Sequence, residues 1–168
     1  MATPTYELIE QQTLSSTATS VTFSSIPTTD SNGEPFRDMV LVINAAITQA
    51  TTRTLLVRFN GSTSGYDMIY AYGDGSTTSG NYFSQSSLNF DNGSYVTNSF
   101  SSVMVYNIMN YTQTSTYKPV LFRGNNTNAN VAMGAGSWNS TSTINSISID
   151  PENTFQVAST FKLFGIVG

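Results

Sequence analysis

The chain has 168 residues, a net charge of −4 and neither cysteine nor histidine. Its six basic residues are scattered, which excludes the clustered positive footprint of a nucleic-acid-binding protein, and no apolar run approaches the roughly 18 residues of a membrane-spanning helix. The missing cysteines and histidines exclude disulfides, thiolate metal sites and a catalytic triad built on histidine.

Charged residues make up 10% of the chain, against about 25% in an ordinary globular protein. Serine, threonine and asparagine take their place. Neutral hydroxyls and amides cost less to desolvate than charges, so the composition favours either a protein with large interfaces or a hydroxyl-rich β-protein of the extracellular type. The N-terminal residues lack the basic and apolar regions of a signal peptide. We therefore expect synthesis in a cytoplasm, without export by that route.

The first half of the chain alternates apolar and polar residues with the period of β-strands. In the stretch LSSTATSVTFSSIP, Val21 and Phe23 are expected to face a core. The run DMVLVINAAI is apolar on both faces, because Val40 and Val42 lie opposite its other apolar residues, and it predicts a central strand. The predicted strands of this half cover 6–13, 20–26, 38–47, 54–61 and 66–75.

The second half begins with a polar stretch, 76–94, that we interpret as the longest loop. Pro119 predicts an edge strand or the start of a strand. Glycines interrupt the pattern over 130–138, and a change of phase after Ile144 predicts a β-bulge near Asn145. The predicted strands of this half cover 101–111, 117–124, 130–138, 142–150 and 154–168.

Short strands at regular spacing, separated by Asn-Gly, Asp-Gly and proline turns, are typical of all-β folds. We predict one domain over residues 1–168, a jelly-roll-like β-sandwich of about 8–10 antiparallel strands. Residues 1–5 are expected to form an N-terminal arm.

Two carboxylate pairs could in principle serve glycoside hydrolysis, Asp67 with Asp74 and Asp150 with Glu152. Neither pair lies in a recognisable motif. Asp74 lies in a Gly-Asp-Gly turn and Asp150 precedes a proline, which favours a role in local backbone bonding. We therefore predict no catalytic residues, no metal site and no cofactor.

Four aromatic residues remain as candidate contact residues: Tyr66, Tyr70, Tyr72 and Trp138. The three tyrosines share one face of a predicted strand. Three interpretations stay open at this point, namely core packing, a subunit interface and stacking on sugar rings.

Several motifs occur in a particular order: LSSTATSVTFSSIP, DMVLVINA, LLVRFNGSTSGYDMIYAYGDGS, STINSISI and STFKLFGI. This order resembles a family of bacteriophage virion proteins, familiar from phages of cyanobacteria and other aquatic bacteria. The resemblance implies a structural component of a head or tail and brings no catalytic residues. A virus particle that assembles inside a cell and is then released also fits a cytoplasmic product with an extracellular type of surface.

The resulting hypothesis is a capsid decoration (cement) protein that lies on the head surface of the virion. It would form homotrimers, bridge neighbouring major capsid proteins, and bind neither nucleic acid nor membranes. One alternative is a tail-associated module that recognises host surface polysaccharide through exposed tyrosines. A second alternative is a glycan-degrading enzyme that uses a carboxylate pair.

Overall fold

The computed structural model describes residues 5–76, 78–90, 95–99, 101–126 and 130–168. Within these ranges the chain forms β-strands and no helix. Most of the predicted N-terminal arm lies outside the described ranges. The strands are β1 (Tyr6–Thr13), β2 (Val21–Ser24), β3 (Phe36–Ala45), β4 (Arg53–Thr54), β5 (Leu56–Phe59), β6 (Tyr66–Gly73), β7 (Thr78–Gln85), β8 (Tyr95–Val96), β9 (Ser102–Ile108), β10 (Lys118–Asn126), β11 (Asn130–Trp138), β12 (Ser146–Asp150) and β13 (Thr160–Val167).

Eight strands form one antiparallel sheet in the order β1-β13-β3-β9-β10-β11-β6-β7. A second sheet has the order β2-β12-β5, and β4 pairs with β8. Side chains from the two main sheets share one apolar core, so the fold is a sandwich-like all-β fold, as the sequence predicts. The jelly-roll form is not confirmed, because the strands divide eight and three between the layers instead of four and four.

The core lies between the three-stranded sheet and the inner face of the eight-stranded sheet. Phe23 and Ile147 enter it from the small sheet, and Leu41 enters it from β3; all three are fully buried. The rings of Phe90 and Phe122 stack at 4.3 Å with an interplanar angle of 5°. Burial of each such side chain stabilises the fold by about 1.5–3 kcal/mol relative to exposure.

A glycine in β11 lets the neighbouring strand and its aromatic residues approach closely. A Cβ atom added at Gly134 would lie 2.7 Å from the carbonyl oxygen of Ile69 and 2.7 Å from Cβ of Tyr70. The segment 130–138, in which glycines interrupt the pattern, forms one continuous strand. Its inward position at Gly134 has no room for a side chain.

The interpretation of 76–94 as a loop is wrong over β7. This strand pairs with β6 at all eight of its positions. Its sequence, TSGNYFSQ, is mainly polar, so the alternation on which the prediction depended is weak, and the backbone ladder to β6 supplies the ordering. Residues 77 and 91–94 of the predicted loop lie outside the described ranges.

The bulge predicted near Asn145 is absent from the ladder. β12 begins at Ser146 and pairs with β2 in unbroken register. The side-chain oxygen of Asn60 accepts the N–H groups of Asn145 and Ser146 at 2.9 and 3.1 Å. Ile144 lies before β12 but is buried, so its phase need not match the alternation of the strand. Pro119 is the second residue of β10, between β9 and β11, so it marks a strand start.

Candidate functional site

Two of the four carboxylates considered as catalytic groups bond to the local backbone, and Asp67 instead accepts the side-chain amide of Asn139. Asp74 accepts hydrogen bonds from the amide and the hydroxyl of Ser76, both at 2.9 Å. Asp150 accepts the amide N–H of Glu152 at 2.7 Å. Asp67 and Asp74 are seven residues apart along extended chain, which is about 23 Å. Because the carboxylates of glycoside hydrolases lie roughly 5–9.5 Å apart, Asp67 and Asp74 cannot act as a pair.

Three of the four candidate aromatic residues belong to the core. Tyr66, Tyr70 and Trp138 are buried, with exposed fractions of 0%, 2% and 5%. They occupy the inward positions of β6 and β11, where the alternation of each strand directs them towards the three-stranded sheet. The interpretation of these three side chains as contacts to a glycan or a partner is therefore replaced by core packing. Tyr72 is half-buried at the margin of the core and remains a candidate contact residue.

Hydrogen bonds and ring contacts hold the buried aromatic residues. The Tyr66 hydroxyl oxygen accepts the N–H of Phe59 at 2.8 Å, and the ring of Tyr66 stacks on Trp138 at 6.3 Å with an interplanar angle of 19°. The hydroxyl of Tyr106 is also buried, but it has no hydrogen-bond partner among the described residues. Burial raises the pKa of Tyr106 above its ordinary value, because the charged phenolate is poorly solvated there.

A buried lysine connects two loops beside the aromatic residues. Lys118, at the start of β10, is fully buried, and burial lowers the pKa of its ammonium group. Its Nζ donates to the carbonyl oxygens of Gln113, of Thr116 at 2.9 Å and of Thr141 at 3.4 Å. These bonds satisfy the buried cation, so Lys118 has a structural role that the sequence did not indicate.

The main apolar surface is the outer face, which we define as the side of the eight-stranded sheet turned away from β2, β12 and β5. Antiparallel sheets commonly bury one face and present polar residues on the other. Here the second face is apolar as well, and Ile69, Val131 and Met133 are 60%, 64% and 69% exposed. The apolar and aromatic residues of the outer face are Tyr6, Leu8, Val40, Val42, Ile69, Ala71, Val103, Val105, Leu121, Val131, Met133, Ala135, Phe164 and Ile166.

Strand register aligns these residues in rows. The central row crosses seven strands and contains one polar member, Asn107; it consists of Leu8, Phe164, Val40, Asn107, Leu121, Ala135 and Ile69. A parallel row holds Val42, Val105, Arg123, Met133 and Ala71. Six spacings of about 4.8 Å make a row that crosses seven strands about 29 Å long, and two rows about 6.7 Å apart cover on the order of 400 Å². Standard protein interfaces bury about 800 Å² per partner.

The outer face carries charges of both signs. Arg123 and Lys162 lie in the row beside the central one, opposite Val105 and Val42 respectively. Asp38 and Asp67 lie on the other side of the central row, opposite Ile166 and Ser137, and neither cation has an ion-pair partner among the described residues. The outer face therefore combines exposed apolar side chains with two cations, which suits a protein surface that offers apolar groups and carboxylates.

The described residues hold no cluster of three or more acidic side chains that could bind a metal ion, and they include no helix of the length and apolarity needed to span a bilayer. In the comparisons with known proteins, no family model, no curated protein and no solved structure matches the chain. The resemblance to phage virion proteins therefore stays a prediction.

Proposed function

We propose that this protein is a structural component of a bacteriophage particle, a decoration protein that binds the head and bridges neighbouring major capsid proteins through the outer face. The observation that carries the proposal is the outer face itself, on which two mainly apolar rows cover on the order of 400 Å², about half of the area that one partner contributes to a standard interface. The resemblance to virion proteins suggests the particle, and the low charge of the chain suits a subunit packed among others.

The chemistry of the outer face indicates what its partner must offer. Leu121, Met133 and Ile69 are exposed apolar side chains on adjacent strands towards its β7 edge, and they need an apolar surface to leave water. Arg123 and Lys162 need carboxylates at the margin of that surface, because a buried cation without a partner is costly. A capsid surface with apolar residues flanked by Asp or Glu would meet both needs.

Such binding would stabilise a shell by mass action. A protein that binds the assembled shell and not its separated subunits lowers the free energy of the assembled state, by about 2.7 kcal/mol per site when its free concentration is 100 times Kd. No covalent chemistry is required. This mechanism agrees with the local backbone bonds of Asp74 and Asp150. It also agrees with the burial of Tyr66, Tyr70 and Trp138 in the core.

Recognition of host polysaccharide by a tail-associated module is the weaker alternative. Sugar-binding sheets use exposed aromatic rings, and three of the four aromatic residues considered for this role are buried. Of these four, Tyr72 alone would remain to stack on a sugar, and the exposed Tyr6 and Tyr117 lie on other strands or loops.

The test is to locate the protein on purified particles and to rebind it to particles from which it has been removed. We expect many copies on the head. Met133→Lys, which adds a third cation to the outer face, should weaken rebinding about tenfold or more, the equivalent of roughly 1.4 kcal/mol. Thr22→Lys is the matched control, because Thr22 is exposed on the small sheet. A location on the tail, a dozen or fewer copies, or full rebinding of Met133→Lys would contradict the proposal.

A further inference from the structure

Three of the four edges of the main sheets carry features that oppose the addition of another strand. β1 has a register shift and contributes the carboxylates of Glu7 and Glu10. β5 is covered by a neighbouring segment, because Val57 and Leu88 exchange two backbone hydrogen bonds at 3.1 and 2.9 Å. β2 has four residues, and the side chain of Gln12 donates to its backbone at 3.0 Å.

The fourth edge, β7, has none of these features. Its eight residues include no charge and no proline, and its register with β6 is unbroken. β6 is its only strand neighbour among the described residues. Alternate N–H and C=O groups of an edge strand point away from the sheet, so β7 offers about 26 Å of ladder to another strand.

We propose that β7 is a self-association edge, at which two copies of this protein pair their β7 strands antiparallel and extend the eight-stranded sheet across a two-fold axis. This dimer takes the place of the homotrimer expected from the sequence. A second copy fits because β7 is neutral, so pairing it with itself sets no like charges opposite each other. An antiparallel pair of identical strands is self-complementary, and both copies satisfy the same backbone groups.

Pairing through β7 also keeps the cations of the two outer faces apart. It separates the two Arg123 positions by seven strand spacings, about 34 Å. Charges that far apart are screened at physiological salt, where the Debye length is about 8 Å.

Pairing through β7 makes the two outer faces continuous. The apolar depression lined by Ala71, Gly80, Val131 and Met133 lies beside β7, so two such depressions would flank the two-fold axis. A pair of subunits would then bind two partner surfaces at once, whichever protein those surfaces belong to. The self-association is independent of the identity of that partner.

The test combines mass measurement with hydrogen exchange on the full chain. Sedimentation from about 1 µM to 1 mM, which spans weak to moderate affinities, should show a monomer–dimer equilibrium. The amides of β7 should become protected as the dimer forms. The double variant Thr78→Lys, Ser84→Lys adds charge to both strands of the pair and should weaken dimerisation about tenfold. The matched control, Gln11→Lys with Thr13→Lys, adds the same charge to β1 and should leave the dimer unchanged.

Four results would overturn the proposal: a monomer at every concentration, a trimer, a dimer unaffected by the double variant, or protection confined to strands other than β7. Met133→Lys separates this contact from binding by the outer face. It should impair rebinding to particles but leave the β7 dimer intact, and loss of the dimer in Met133→Lys would show that the outer face forms it.

Discussion

Replacing Tyr66 by phenylalanine removes one oxygen atom and keeps the ring. That oxygen accepts the N–H of Phe59 at 2.8 Å in a fully buried position. Tyr66→Phe therefore leaves a buried backbone N–H without a partner, which costs about 1–3 kcal/mol of unfolding free energy. Tyr106→Phe makes the same chemical change where the hydroxyl has no partner among the described residues. It should be neutral or stabilise the protein by up to about 1 kcal/mol, because an unsatisfied group is removed.

Urea unfolding measures the difference directly. The single tryptophan, Trp138, is buried and stacks on the ring of residue 66, so its fluorescence should report loss of the core. With a slope of about 2 kcal/mol per molar urea, a cost of 2 kcal/mol lowers the midpoint of Tyr66→Phe by about 1 M. Tyr106→Phe should keep or raise the midpoint. Equal losses in the two variants, or no loss in Tyr66→Phe, would refute the assignment of these two hydroxyls.

Three further predictions concern stability. Gly134→Ala places a Cβ 2.7 Å from Tyr70 Cβ, and the overpacking should cost about 1–3 kcal/mol; an unchanged urea midpoint would contradict this close approach. Lys118→Met leaves three backbone carbonyls without their donor and should cost about 2 kcal/mol in thermal unfolding, whereas no loss would mean that the lysine does not connect the loops. Burial raises the pKa of Tyr106 and Tyr111 above 10.0. At about pH 10.5 the unfolded chain still holds about half a proton on Lys118, but it has lost most of the two phenol protons that the folded chain keeps. The unfolding free energy should therefore fall as pH rises, and a flat profile from about pH 10.5 to 12 would contradict the burial of these tyrosines.

Alternation predicted most of the sheet. The segments around Val21 and Phe23, and around Leu41 and Ile43, form strands with those side chains inside, because a half-buried strand must place its apolar residues at every second position. β7 was missed for the same reason. An edge strand that is held by backbone hydrogen bonds to one neighbour needs few alternating apolar residues. Alternation in the sequence therefore gives little indication of such a strand.

The candidate site was harder to predict than the fold. Residue type alone made the aromatic residues candidates for a binding site. A tyrosine on a strand is equally suited to a core and to a surface, and the position of the second sheet decides between them. Val40 and Val42 did indicate a strand that is apolar on both faces. Nothing in the order of the chain indicated that Met133 and Ile69, more than 60 residues apart, would extend that surface.

The sequence by itself determined that the chain is an all-β protein with a neutral polar surface and with no cysteine or histidine chemistry, since these properties follow from composition and local period. Only the tertiary structure decided which apolar residues are covered. Both faces of the large sheet are apolar, but the three-stranded sheet, together with buried residues outside it such as Phe90 and Phe155, covers only one of them. The other face remains exposed because no described strand packs on it, and the strand register, which arises from long-range pairing, aligns its residues into one surface.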